Sequence, residues 1–297
     1  MENKNVFVAI ALSMSVLLFW AAFFEEPRPV EKSIPQQQKE DVESKITPNI
    51  SDSTNVKKIS RAESIKGSKR LVIENSSIIG SLSLKGGLID DISFKKHKQN
   101  LKNNKNVEFL NPSETEDGFY VETGWTSLGN KIKVPTKETV WGYKGNNILN
   151  KNQPIFLEWN NGEGIIFKRK IELDDNYLFT ITQQVQNNTN QPLELYPYAQ
   201  ITRNKVPDDI QNFYISHEGF IGVFDDELKE DDYDDIEENK IVREANQGWL
   251  GITDKYWMAA LVPKKGENFK STFLYRNAFK ANYILNNPTI INASANN

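Results

Sequence analysis

The sequence contains no cysteine and only two histidines, His97 and His217, among its 297 residues. The absence of cysteine excludes disulfide bonds, thiolate nucleophiles and cysteine-ligated zinc, and it is compatible with any redox compartment. The sequence also lacks the phosphate-binding loop GxxxxGK[ST], the dinucleotide motif GxGxxG, the nucleophile elbow GxSxG and the zinc motif HExxH. We therefore predict no catalytic residue, no cofactor site and no metal site.

An excess of positive charge is also missing. The chain has 36 lysines and arginines against 40 aspartates and glutamates, which gives a net charge of -4 and a pI near 5.5. Proteins that bind a phosphate backbone usually present a strong positive field, so we expect no nucleic-acid partner. No period of 20 to 50 residues repeats, which disfavours a solenoid or a propeller.

One long hydrophobic run is present, from Val6 to Phe24, and it contains no charged residue. As a helix it spans roughly 28 Å, which matches the hydrocarbon core of a bilayer. We predict that residues 1–24 form a transmembrane anchor. Lys4 and the free amino group precede the run, and Glu25 and Glu26 follow it, which favours a cytoplasmic N-terminus.

The alternative interpretation of this run is a cleaved signal peptide. Signal peptides have a hydrophobic core of about 7 to 15 residues and a cleavage site of small residues. The run is longer, and Trp20, Phe23 and Phe24 stand where a signal peptidase needs small side chains. The uncleaved anchor is therefore the favoured interpretation.

Residues 25–69 contain four prolines, a run of three glutamines and many charged residues, without a sustained hydrophobic period. Such a segment buries too little apolar surface to offset its ordering entropy. We predict a flexible linker that holds a folded domain away from the membrane surface.

From residue 70 onward, short alternating runs are bounded by Gly, Asn, Asp and Pro, a pattern typical of β-strands joined by turns. The runs 155–159, 165–173 and 177–185 predict an antiparallel meander, with Arg169 in the apolar register of the second strand. Runs 77–84 and 87–94 predict a hairpin around Lys85-Gly86-Gly87. We predict that residues 70–297 form one antiparallel β-sandwich, in an all-β fold.

The exception to this pattern is the segment Asp225 to Asn239, for which we predict a short acidic helix with Leu228, Tyr233 and Ile236 on one side. Its carboxylates do not follow the spacing of a calcium loop, so a solvated acidic segment is favoured over a metal site. The acidic residues are Asp225, Asp226, Glu227, Glu230, Asp231, Asp232, Asp234, Asp235, Glu237 and Glu238.

The two histidines and a group of aromatic residues are the other candidate functional residues. His217 and Glu218 have the right chemistry for an acid and a base, but neighbours on a strand point to opposite faces, so a surface role is favoured. His97 stands among lysines, which predicts an exposed basic turn. The aromatic residues Trp249, Tyr256 and Trp257 are suited to stacking on a ligand, although core positions are favoured.

Several segments, in order, resemble the N-terminal third to half of YidC proteins from Gram-negative bacteria, especially those of alphaproteobacteria. The resemblance covers about residues 3–24 and 75–275. The matching segments include GSLSLKGGLIDDISFKKHK at 80–98, FYVETGW at 119–125, KRKIELDDNYLFTITQQVQNNTNQPLELYPYAQITR at 168–203, HEGFIGVFDDEL at 217–228 and GWLGITDKYWMAALVP at 248–263.

This resemblance implies a periplasmic β-supersandwich, similar to galactose mutarotase-like domains, in an inner-membrane protein that inserts and folds membrane proteins alone or with the Sec translocon, including SecDF. The family's insertase core consists of five later transmembrane helices, and the match ends before them. A truncated gene product, a fragmentary sequence or a split protein would each give this pattern, with an end either inside the periplasmic domain, which would leave it incomplete at its C-terminus, or just after it.

The functional hypothesis is a non-enzymatic one: the anchor and periplasmic domain of a YidC-type insertase and chaperone, with membrane lipid, the Sec translocon and nascent membrane proteins as partners. The alternative is a membrane-anchored carbohydrate-binding or mutarotase-like envelope protein. A third interpretation is a purely structural envelope anchor.

Overall fold

The computed structural model describes residues 12–16, 58–100, 102, 104–208, 210 and 217–293. The N-terminal unit, Met1–Val42, is described at residues 12–16, which are helical and have exposed side chains. Within the described ranges, no helix combines the length and the hydrophobicity needed to span a bilayer. Most of the predicted anchor and of the predicted linker therefore lies outside the described residues.

The described part of the second unit consists mainly of β-strands. The strands are β1 (Arg70–Glu74), β2 (Ile78–Ser83), β3 (Leu88–Lys98), β4 (Asn106–Leu110), β5 (Phe119–Thr126), β6 (Gly142–Lys144), β7 (Ile148–Leu149), β8 (Ile155–Asn160), β9 (Ile165–Leu173), β10 (Phe179–Asn187), β11 (Leu193–Arg203), β12 (Gly219–Phe224), β13 (Glu227–Asp231), β14 (Ile241–Ala245), β15 (Gly248–Thr253), β16 (Met258–Leu261), β17 (Phe269–Tyr275), β18 (Phe279–Leu285) and β19 (Thr289–Ile291). The short helices are α1 (Arg61–Gly67), α2 (Tyr233–Glu238) and a 3-10 turn (Leu128–Asn130).

These strands form one large sheet and two small ones. The large sheet has the order β14-β17-β18-β11-β5-β3-β2-β1-β7, with β19 paired to β11 and β4 paired to β3. The small sheets have the orders β10-β9-β8-β6 and β13-β12-β15-β16. Every described pairing is antiparallel except that of β1 with β7.

The register of the large sheet gives it one apolar face, because residues directly opposite each other on neighbouring strands share a face. Both small sheets cover this face, since Phe167 of β9 and Phe220 of β12 belong to the same buried cluster as the large sheet. The ring of Phe220 lies 5.1 Å from that of Phe273. The fold is thus an all-β, two-layer sandwich, as predicted. The apolar row runs through Phe273, Ala281, Ile201, Val121, Ile89, Leu82 and Leu71.

Local sequence signals correctly predicted several elements. The hairpin of β2 and β3 turns where predicted, and Gly86 and Gly87 have φ values of 75° and 64°, which favour glycine. The meander of β8, β9 and β10 is also confirmed. Arg169 is buried on the inner face of β9, in the same register as the apolar residues of that strand, as predicted.

The last part of the predicted linker is ordered rather than flexible. Residues Arg61–Gly67 form α1, which is fixed to the body by polar contacts of Arg61 and Ser64. Arg61 forms an ion pair with Asp91 of β3, and the hydroxyl of Ser64 donates a hydrogen bond to the carboxylate of Glu114 at 2.6 Å. These tertiary contacts compensate for the short length of the helix, so Arg61–Gly67 belongs to the folded body rather than to a flexible linker.

We expect Ser60→Ala to lower the free energy of unfolding by about 1 kcal/mol, because Ser60 caps α1. Its hydroxyl accepts a hydrogen bond from the Glu63 amide at 3.3 Å, and its own amide donates to the Glu63 carboxylate at 2.9 Å. Urea denaturation of the full chain measures the change. The exposed residue Lys66 of the same helix is the control, and equal losses for Ser60→Ala and Lys66→Ala would contradict the capping role.

The predicted acidic helix at residues 225–239 is wrong for its first half. Asp225 and Asp226 have positive φ values, 49° and 73°, and form the turn between β12 and β13. Leu228 lies on β13 and is 56% exposed, whereas Tyr233 and Ile236 of α2 are buried as predicted. Strand pairing to β12 outweighs the helical period of the sequence in this segment.

Candidate functional site

A groove separates the two small sheets where they lie on the large sheet. It has a volume of about 430 Å³. Its floor includes Ile89, Ile92 and Val121 of the large sheet, one wall includes Phe179 and Ile181 of β10, and the other wall is β16. None of the described residues that line the groove is charged. A concave surface of this composition is suited to an apolar ligand.

The rim of the groove exposes large apolar side chains to solvent. Isolated exposed apolar residues are normal on protein surfaces, but several around one concavity mark a binding site. Each of these residues also lines the groove. The exposed fractions are 74% for Tyr256, 67% for Val262, 60% for Leu178, 47% for Tyr177 and 44% for Met258.

One end of the groove carries positive charge beside aromatic rings. The rings of His97 and Trp257 are 4.6 Å apart, and the ammonium group of Lys255 lies 5.6 Å from the centre of the Tyr256 ring. The prediction that His97 lies in an exposed basic turn is wrong, because it lies in β3 and packs on Trp257. We call the two residues at this end the basic rim: His97 and Lys255.

The face of the large sheet opposite the groove carries a polar network. Glu122 of β5, Gln200 of β11 and Asn282 of β18 stand directly opposite one another. Burial raises the pKa of Glu122, although the neighbouring charges of Lys280 and Lys137 act in the opposite direction. The side-chain amide of Gln200 donates a hydrogen bond to the hydroxyl of Thr202 at 3.1 Å.

Asp90 lies on β3, next to this network, and is ion-paired to Arg70 of β1. Burial raises the pKa of Asp90 to about 6, against the attraction of Arg70. A raised carboxyl pKa is also a feature of acid–base catalysts. Asp90 has a buried cationic partner, however, and it does not line the groove, so we assign the pair to the stability of the sheet.

The acidic residues of segment 225–238 contact different partners and do not converge on one site. The carboxylate of Asp225 accepts hydrogen bonds from the backbone amides of Asn246 and Gln247. Asp231 forms a bidentate ion pair with Arg243, with N···O distances of 2.7 and 2.8 Å. Two further carboxylates cap α2. In the part of the chain that is described, no three His, Asp or Glu side chains are grouped to hold a metal ion.

His217 makes local contacts just before β12. Its Nε2 atom lies 2.8 Å from the carbonyl oxygen of Phe220, and its Nδ1 atom lies 3.5 Å from the carboxylate of Asp232. His217 and Glu218 do not line the groove. This geometry fixes the loop against α2.

The expectation of core positions for the three aromatic residues of segment 248–263 is wrong for Tyr256. Trp249 and Trp257 are partly buried, and Trp257 packs against the core, but Tyr256 is 74% exposed. Residues 254–257 form the turn between β15 and β16, with the Asp254 amide donating to the Trp257 carbonyl at 2.7 Å. Side chains in a turn do not alternate between two faces as they do in a strand, so the strand pattern does not predict the position of Tyr256.

The groove itself was not predicted from the sequence. The sequence predicts β10 as an alternating strand, and β16 lies in segment 248–263, whose aromatic residues are expected in the core. The sequence holds no local signal for the groove, because an uncharged strand at the wall of a groove has the same pattern as one in the core.

Comparison with known proteins identifies the family. The family described as the YidC periplasmic domain matches residues 70–297. The protein named membrane protein insertase YidC from Pelagibacter ubique is 42% identical over 285 residues, which cover 96% of this chain and 51% of that protein. The protein of the same name from Cereibacter sphaeroides is 33% identical, over 92% of this chain and 46% of that protein. The chain thus spans about half the length of these curated relatives.

The fold also resembles that of a solved structure. A galactose mutarotase-related enzyme from Lactobacillus acidophilus superposes with a TM-score of 0.50 over 76% of this chain and 93% of its own, at 12% sequence identity. This likeness concerns the fold alone, and it matches the architecture expected from the sequence. The matching relatives are insertases rather than enzymes, so the mutarotase-like alternative is not favoured. With its periplasmic domain at residues 70–297, the chain belongs to the YidC membrane protein insertase family.

Proposed function

We propose that this chain is the anchor and periplasmic module of a YidC-type insertase, and that its groove holds apolar segments of nascent membrane proteins during their insertion and folding. The observation that carries the proposal is the uncharged groove with its exposed apolar rim. An apolar segment outside the membrane exposes surface that costs about 25 cal/mol per Å² to hydrate. Burial in the groove removes part of that cost before the segment reaches lipid.

The proposal includes the membrane attachment predicted from the sequence. Residues 1–24 anchor the chain in the inner membrane with the N-terminus in the cytoplasm, and the linker lets the body reach segments emerging on the periplasmic side. The proposed linker excludes the ordered helix α1, Arg61–Gly67. In this role the chain uses no catalytic, cofactor or metal site, and binding relies on the uncharged, largely apolar lining of the groove.

We further propose contact with the Sec translocon, including SecDF, because an insertase that acts beside the translocon receives segments as they leave it. Co-purification of the full chain with Sec subunits from solubilised membranes tests this partnership. His217→Ala leaves the co-purification unchanged, because His217 contacts the loop before β12 and α2 rather than the groove. Absence of Sec subunits from the purified complex would contradict this part of the proposal.

We expect Val262→Asp and Leu178→Asp each to weaken the binding of an apolar peptide at least tenfold, because a bound peptide would bury the new carboxylate without a partner. The measurement is fluorescence anisotropy of a labelled peptide from a periplasmic loop of a membrane protein, with the full chain in lipid nanodiscs. Both side chains are exposed, so the free energy of unfolding changes by less than about 0.5 kcal/mol.

Val140→Asp is the matched control for Val262→Asp. Val140 is 66% exposed, Val262 is 67% exposed, and Val140 does not line the groove. We expect the control variant to bind the peptide like the unmodified chain. Equal binding by all three variants would show that the groove is not the binding site.

A further inference from the structure

The two walls of the groove differ: one is a face of strand β10, and the other is the edge of strand β16. On β10, the lining residues alternate, Phe179, Ile181 and Gln183, so this strand turns one face toward the groove. On β16, every residue from Met258 to Leu261 lines the groove. Consecutive residues of a strand point to opposite faces. All of them can line one cavity only where the edge of the strand, rather than one of its faces, borders that cavity. The groove therefore has one wall that is a strand edge.

This edge has no strand partner among the described residues. β16 is the last strand of the order β13-β12-β15-β16 and pairs with β15 alone. Half of the backbone amides and carbonyls of an edge strand point away from its neighbour and are available to another strand. The length of β16 matches an added segment of about four to six residues, or roughly 13–20 Å.

The two edges of the same sheet differ in charge. β13, at the far edge, has the sequence ELKED, and charges of this kind prevent unwanted strand pairing. β16 has the sequence MAAL and carries neither charge nor proline. The small side chains of Ala259 and Ala260 also leave room beside the strand. The edge that borders the groove thus lacks the protection that the opposite edge has.

The positive charge at one end of the groove favours apolar segments that carry an acidic residue at one end. The basic rim lies at one end, where His97 packs on Trp257. Segments that cross to the periplasmic side are poor in lysine and arginine, by the positive-inside rule. An extended segment with apolar residues in its middle and an acidic residue at one end complements both the uncharged groove and the basic rim.

We propose that the groove binds its substrate as an added β-strand, which pairs with the free edge of β16 and places its acidic end at the basic rim. The inference rests on the proposed function of the groove and specifies the form of the bound segment. The added strand lies between β16 and the inner face of β10, and its alternate side chains cover Ile92 and Phe94 on the floor. Recognition then comes from backbone hydrogen bonds and depends little on the exact side chains.

Backbone N-methylation of the peptide tests this mode, because it removes one hydrogen-bond donor without changing a side chain. In an added strand, every second backbone amide of the peptide faces β16 and the others face away. We expect methylation of the amides that face β16 to weaken binding to the full chain in nanodiscs at least tenfold, and methylation of the other amides to change binding less than threefold. Hydrogen exchange of the same complex should show added protection of amides in β16 and none in β13. Replacing the acidic end of the peptide by lysine should weaken binding, and more so at low salt.

The outcomes separate this inference from the function on which it rests. If the unmethylated peptide binds, and Val262→Asp abolishes its binding, but both methylated sets bind equally well, the strand mode is wrong and the groove function stands. Protection of β16 that rises with protein concentration in the absence of peptide would assign the edge to a second copy of the chain and overturn the inference. No binding of the unmethylated peptide would overturn both proposals.

Discussion

Replacing Asp90 with alanine is expected to lower the free energy of unfolding by about 3–5 kcal/mol at pH 7, because it leaves the charge of Arg70 buried without a partner. The side chains of Asp90 and Arg70 are only 4% and 7% exposed. Arg70 retains contacts with neutral groups only: the hydroxyl of Ser81 at 2.7 Å, the carbonyl oxygen of Ser81 at 3.3 Å and the hydroxyl of Ser68 at 3.4 Å. These neutral oxygens do not replace a carboxylate as the partner of a guanidinium group.

Urea denaturation of the full chain measures this loss, and Arg70→Met provides a comparison. Removing both charges together should cost less than Asp90→Ala alone, because no buried charge is then left. The exposed ion pair of Lys95 with Glu74, at 2.8 Å, is the control, and Lys95→Ala should cost no more than about 1 kcal/mol. A loss for Asp90→Ala no greater than that of the control would refute the role assigned to the pair.

The pKa of Asp90 adds a pH dependence with a definite sign. Its pKa in the folded protein is about 6, above the ordinary value of 3.8, so the folded state binds the proton more tightly. The contribution of this group to stability is therefore fully present below about pH 3.8 and is lost as the pH rises through 6, by up to about 3 kcal/mol. The difference in stability between the unmodified chain and Asp90→Ala should widen as the pH falls from 7 to 4.

Arg169→Ala should also cost about 3–5 kcal/mol, because it removes a large side chain from the core and leaves two buried carbonyl groups without donors. The Arg169 guanidinium donates to the carbonyl oxygens of Gly87, at 2.9 Å, and Thr123. It also lies 4.6 Å from the centre of the Trp141 ring. These contacts tie β9 of one small sheet to the hairpin turn and to β5 of the large sheet.

Arg169→Lys should recover only part of the loss, since an ammonium group cannot reach both carbonyls in the fixed geometry of a guanidinium. The matched control is Lys170→Ala on the same strand, which removes a positive charge from the opposite, outer face. Its ion pair with Glu172 is partly exposed, so we expect a change of less than about 1 kcal/mol. Thermal or urea unfolding distinguishes the two positions, and equal effects would contradict the tie between the layers.

The sequence predicted the features that depend on neighbours along the chain. Alternation of apolar residues identified β8, β9 and β10 and placed Arg169 on the inner face. The glycines at 86 and 87 identified the hairpin turn. The same local reasoning failed for α1, which lies in the polar segment predicted as a linker, and for residues 225–231, where the sequence has a helical period but the chain pairs as a strand. These failures share a cause, since pairing and docking to distant strands decided the structure there.

By itself, the sequence determined the all-β class, the inward position of Arg169, the absence of the common catalytic motifs and, through its resemblance, the family. Only the tertiary structure decided where a groove lies and which strand edge borders it. The groove brings together β3, β10 and β16, which are far apart in the chain. Alternation tells which side of a strand is apolar, but the neighbour that covers it is chosen by long-range packing. An apolar strand left without a neighbour therefore has the same local sequence pattern as one in the core.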